Sequence, residues 1–116
     1  MKKIAYKSIH FTKLLYKLIT GVPFITLSLF GNAVVGLFAL IVFLIEKDIN
    51  PSINTYLDSL WWSFSTATNV GYGDIVPITD SGKVVGILLM LIGVALFSIY
   101  TALFARAILD DPEYLD

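Results

Sequence analysis

The sequence predicts an all-α membrane protein in which two membrane-spanning helices flank a short re-entrant helix, and three observations carry that class. Of 116 residues, 57% are hydrophobic and 15% charged, against roughly 45–50% and about 25% in soluble domains. Two stretches each reach the roughly 20 uncharged residues that cross a bilayer. Between them lies a third apolar stretch, too short to span and too greasy for water. This balance argues against a soluble enzyme, and the length allows one domain. There is no cysteine and His10 is the single histidine, so a thiolate metal site or a histidine-based triad has no material.

Residues 1–22 carry Lys2, Lys3, Lys7, Lys13 and Lys17 with no acid. The string KKIAYKSIHFTKLLYKLI alternates apolar and basic residues at roughly helical spacing, which suggests a helix lying on the cytoplasmic membrane surface. The alternative is a disordered basic flank that only sets topology. His10 lies in this segment, either as a pH-sensing group or as an ordinary interfacial side chain. The lysines place the N-terminus in the cytoplasm.

The outer helix is expected over 22–45, roughly 36 Å of uncharged helix that ends in Glu46-Lys47-Asp48. A signal peptide would have a shorter apolar core and a shorter basic start, so this is a retained span. The inner helix is expected over 83–109, with Pro112 beyond it forbidding continuation. Two spans return the C-terminus to the cytoplasm, and residues 46–83 face outward. In that outer segment Thr55-x-x-Asp58 has the spacing of a capping box, and a short helix is expected over 56–68, near 20 Å long. Such a helix must re-enter from outside. Irregular backbone at membrane depth is tolerated only where it is buried in protein or lines a watery cavity, so the residues after it should carry the function.

Those residues are Asn69-Val70-Gly71-Tyr72-Gly73-Asp74. The string LWWSFSTATNVGYGD, set between two spans, resembles the pore loop of the potassium-channel family. Physically, a dehydrated monovalent cation needs stacked rings of oxygen in place of its water. Backbone carbonyls supply them only if successive ones point the same way, and interleaved Gly71 and Gly73 can take the left-handed conformations this requires. One chain gives one wall of such a filter. The resemblance implies a homotetramer in the lipid bilayer, a filter over 69–74, and bound K+ at Asn69, Val70, Gly71 and Tyr72, with Gly73 completing the filter. The expected activity is passive, potassium-selective conduction rather than catalysis.

The resemblance also assigns support residues. Trp61 would bond Asp74 and Trp62 would bond the Tyr72 hydroxyl; an aromatic belt at the outer interface is the other reading of this pair. Ser65 sits where some members place a carboxylate coupled to Asp74, and Thr68 joins the support group at the end of the pore helix. Asn69 stands where the family usually has a threonine, which puts the innermost ion site and strict selectivity in doubt. Gly93 falls at the family's hinge position, though a glycine there also permits close packing. Val94 and Phe97 would face the cavity, with Thr101, Ala105 and Leu109 following along one helix face and Leu109 forming the constriction. The pore domain is thus expected over 23–109. The acidic tail 110–116 would be a negative collar or a solvated end.

No span carries an arginine repeat of the kind that senses voltage. The chain reads either as a minimal channel or as the pore part of a longer one, with a cytoplasmic gating domain or subunit outside it. Expected partners are the bilayer, further copies and potassium ions, with no nucleic acid and no cofactor beyond K+; the cell membrane of a prokaryote is the expected location. Rival functions are a cation channel of relaxed selectivity and a non-conducting assembly subunit.

Overall fold

The computed structural model describes residues 2–111, and every described element is helical. In chain order these are α1 (Lys2–Ile19), α2 (Val22–Glu46), α3 (Tyr56–Ala67) and α4 (Asp80–Leu109). The expected stop at Pro112 and the Glu113 and Asp116 part of the acidic tail lie outside the described residues. Two helices, α2 and α4, are long and apolar enough to cross a membrane. The described residues form two compact units: those up to Leu29 with those from Ile99 onward, and Phe30–Ser98.

In the second unit α3 packs between the two spans. The span α2 buries Gly31, Val35, Ala39, Val42 and Glu46, while α4 buries Gly82, Gly86, Leu89, Gly93 and Leu96. Both sets recur at steps of three and four, so each helix gives one narrow stripe to the interior and leaves the rest of its apolar surface outward. Val35, Val42, Ile53, Trp62, Ala67 and Leu89 make the shared core.

Hydrogen bonds fix α3 against α2. Ser59 donates to the Ala39 carbonyl at 2.6 Å, Ser63 to the Val35 carbonyl at 2.7 Å, and Tyr56 to the Gly36 carbonyl at 2.8 Å. Ser59 and Ser63 are one helical turn apart, and so are their acceptors, so the two helices are held in register. A fully buried hydroxyl with such a partner escapes the cost of desolvation.

The capping box of α3 forms as its spacing predicts: Asp58 N donates to Thr55 Oγ1, and Asp58 Oδ2 accepts from the amides of Asn54 at 2.9 Å and Thr55 at 3.0 Å. The Asn54 amide first, then that of Thr55, holds the Asp58 carboxyl below its ordinary value of 3.8. A depressed pKa means this cap contributes fully above the ordinary value and is lost as pH falls through the lowered one. Asp58→Asn is therefore expected to lower thermal stability at pH 7. In paired melting curves, that deficit should shrink as the wild type is acidified below pH 4.

The inner helix starts at Asp80, three residues before the expected Lys83. The reason is local: Thr79 Oγ1 accepts from the Gly82 amide at 2.9 Å and caps the helix one residue before Asp80. At the other end of α3 the last helical residue is Ala67, with Thr68 as its C-cap.

In the first unit, the basic N-terminal segment is helical rather than an irregular flank. His10, Leu14, Leu15 and Leu18 are its half-buried positions, three of them at four-residue spacing. His10 Nε2 lies 3.1 and 3.0 Å from the two Asp111 carboxylate oxygens. Near the start of α2, Phe24 meets Tyr100 and Phe104 edge-on, and the hydroxyls of Ser28 and Tyr100 are 2.7 Å apart.

Candidate functional site

The loop that leaves α3 has an unusual backbone. Asn69, Gly71 and Gly73 have φ of 65°, 61° and 78°, and no other described residue has positive φ. Left-handed positions thus alternate with Val70 and Tyr72. A strand turns successive peptide groups to opposite sides; a chain whose φ alternates in sign does not, so its carbonyls can gather on one side. Asparagine is among the non-glycine residues that tolerate this region best. Backbone conformation therefore accounts for Asn69, which the sequence reading weighed only by its side chain.

The C-terminal half of α3 holds this loop. The Gly71 amide donates to the Ser65 carbonyl at 2.9 Å and the Tyr72 amide to Ser65 Oγ at 2.9 Å. One serine thus anchors two consecutive loop amides. It serves the loop backbone, whereas the sequence reading considered that position for its link to Asp74. Thr68 Oγ1 donates to the Phe64 carbonyl at 2.6 Å and closes the helix end. A cleft of about 130 Å³ lies between helix and loop, lined by Trp61, Phe64, Ser65, Thr68, Val70 and Tyr72.

Trp61 and Trp62 separate in role. The Trp61 indole donates to both Asp74 oxygens, at 3.1 and 3.0 Å, and its ring stacks on Tyr72 with centroids 5.5 Å apart. Trp62 is 4% exposed and packs on Gly86, where a Cβ would stand 3.2 Å from its ring. Among the described residues of one protomer, no hydrogen bond joins Trp62 to Tyr72.

Gly93 faces the end of α3. A Cβ there would lie 2.7 Å from the Ala67 carbonyl oxygen and 2.8 Å from its Cα. Its role in this conformation is close packing, and α4 runs unbroken through it. Val94 and Phe97 are about half exposed, at 54% and 53%. Thr101, Ala105 and Leu109 are exposed at successive four-residue steps. One protomer does not enclose these side chains, so any cavity they line needs further copies.

Sequence reading missed the most connected group beside the loop. Glu46 is fully buried, and its carboxylate accepts from the Ile78 amide at 3.1 and 3.2 Å, the Thr79 amide at 2.9 Å, Thr79 Oγ1 at 2.7 Å and Asn50 Nδ2 at 3.1 Å. Asn50 also donates to the Val76 carbonyl at 2.8 Å. The end of α2 thereby fixes the strap that runs from the loop into α4. The only signal in the sequence was an acid closing an apolar run, which reads equally well as a solvated end.

Two apolar helices long enough to span a membrane thus bracket a short, half-buried helix and a loop whose backbone alternates in handedness. A family model described as "Ion channel" matches residues 32–110, and the chain belongs to that family. A voltage-gated potassium channel of Aeropyrum pernix is 42% identical over 83 residues, covering 67% of this chain and 28% of that protein. A human potassium voltage-gated channel, subfamily KQT member 4, is 39% identical over 75 residues, 65% of this chain and 11% of that one. The chain thus spans under a third of these relatives. Among solved structures, the pore module of a voltage-gated K+ channel in a closed state in lipid membranes is 40% identical, with a TM-score of 0.50. The match covers 68% of this chain and 90% of that one. Family and spans together make this a membrane protein, and its relatives are channels rather than enzymes.

Proposed function

We propose that four copies of the chain form a potassium-selective pore that passes K+ down its electrochemical gradient. The observation that carries this reading is the alternating φ sign at Asn69, Gly71 and Gly73, in a loop held by Ser65 and Trp61. Fourfold repetition would turn the carbonyls of Asn69, Val70, Gly71 and Tyr72 into stacked oxygen rings that replace the ion's hydration shell. The C-terminal end of α3 adds partial negative charge where the ion rests. Val94 and Phe97 line the cavity below, and Leu109 forms a hydrophobic constriction at the cytoplasmic end. The lysines of α1 keep both termini cytoplasmic. The pore domain runs over 23–109, and Trp62 braces the wall behind the filter.

Asn69 favours a second reading with the same fold, a cation pore of relaxed selectivity, because an amide side chain is bulkier than a hydroxyl and brings two donors towards the innermost site. Flux from potassium-loaded proteoliposomes tests the proposal. The expected result is K+ efflux that rises in Leu109→Ala and vanishes in Gly71→Ala, where a side chain would have to adopt φ near 61°. Equal Na+ efflux would favour the second reading; no efflux even from Leu109→Ala would favour a non-conducting subunit.

A further inference from the structure

The first unit holds a cavity of about 430 Å³ between α1, the start of α2 and the end of α4. Its volume is that of a small-molecule site. Leu14, Leu18, Phe24 and Leu103 stand among its lining together with Lys17, Asp110 and Asp111. We propose that it binds one zwitterionic phospholipid through a phosphoethanolamine headgroup. The inference rests on the membrane-spanning fold and needs no assumption about which ion passes the filter.

Depth supports this occupant. The cavity lies where α2 begins at Val22 and α4 ends at Leu109, the level at which both spans leave the hydrocarbon. Asp110 and Asp111 follow that end directly, whereas Leu103 sits six residues, about 9 Å of helix, further in. Charged groups thus occupy headgroup depth and the apolar walls reach towards the acyl chains. Charge then selects among lipids. The Lys17 ammonium suits a phosphate, and the carboxylates suit a primary ammonium that can donate three hydrogen bonds. Asp111 is engaged by His10, while Asp110 meets Arg106 through one oxygen at 3.4 Å, and a carboxylate has about four acceptor positions, so Asp110 is the one that takes a further donor. A choline headgroup has no N–H to offer them. A phosphoglycerol headgroup offers a phosphate to Lys17 but no ammonium to the carboxylates.

The test uses the intact chain reconstituted in vesicles of equal parts phosphatidylethanolamine, phosphatidylcholine and phosphatidylglycerol. Lipid retained after mild detergent extraction is counted by native mass spectrometry. Wild type should retain phosphatidylethanolamine about tenfold over either competitor, the scale of one charge-assisted hydrogen bond. Ala107→Trp, which fills the cavity without touching a charge, should abolish retention. Lys17→Ala, an exposed substitution that leaves the walls intact, should reduce it severalfold. Equal retention of the three lipids, a preference for phosphatidylglycerol, or retention unaffected by Ala107→Trp would each overturn the proposal. So would no retained lipid at all, the result expected if a neighbouring copy fills the cavity. Retention is counted whether or not the protein conducts, so failure here is distinct from failure of the potassium pore.

Discussion

Glu46→Gln is expected to destabilise the protein by about 3 kcal/mol per chain, the cost of breaking a buried, multiply bonded carboxylate. Every group facing the two carboxylate oxygens is a donor: the amides of Ile78 and Thr79, the Thr79 hydroxyl and the Asn50 side-chain amide. Glutamine would turn one acceptor into an NH2 group pointed at those donors. The damage would not stay at the end of α2. Thr79 caps α4 through the Gly82 amide, and Asn50 holds the Val76 carbonyl, so the strap leaving the 69–74 loop loses its anchor. Thermal unfolding in detergent should show a clear loss of melting temperature, and flux through surviving protein should decay faster. Unchanged stability would mean that the network is dispensable.

Gly93→Ala is the second large effect. The added methyl would sit 2.7 Å from the Ala67 carbonyl oxygen and 2.8 Å from its Cα, against backbone that has no rotamer to move. Overpacking of this kind typically costs about 1–3 kcal/mol, and here α4 must move away from the last helical residue of α3. Both stability and K+ flux should fall, flux by about tenfold or more. A glycine acting only as a hinge predicts a different pattern, with stability and assembly unchanged and only opening impaired. Melting temperature and flux measured on the same preparation separate the two.

Local signals carried much of the fold. The first charge-free run ended where α2 ends, at Glu46, whereas the second lies inside α4, which begins earlier, at Asp80; Thr55-x-x-Asp58 marked the start of α3 because a capping box is complete within four residues. The glycines at 71 and 73 pointed to left-handed backbone because few other residues adopt it. Asn69 was legible as a departure from a family pattern, but its conformation was not. What stayed hidden depends on partners far along the chain. Glu46 meets residues 32 and 33 positions later, and Ser59 and Ser63 find carbonyls 20 and 28 positions earlier. Serines in a short apolar helix could as well have faced water. The division of labour between Trp61 and Trp62 was also hidden, since only the packing of Gly86 against one of them decides which ring is buried. The early start of α4 turned on a single threonine hydroxyl.

Selectivity of a carbonyl filter for potassium is read from the reversal potential of purified protein in a planar bilayer under opposed potassium and sodium gradients. Reversal is expected near the potassium equilibrium potential, with Asn69 accommodated as the non-glycine left-handed residue of the loop. Reversal near zero would contradict it, leaving the pore fold but not its selectivity.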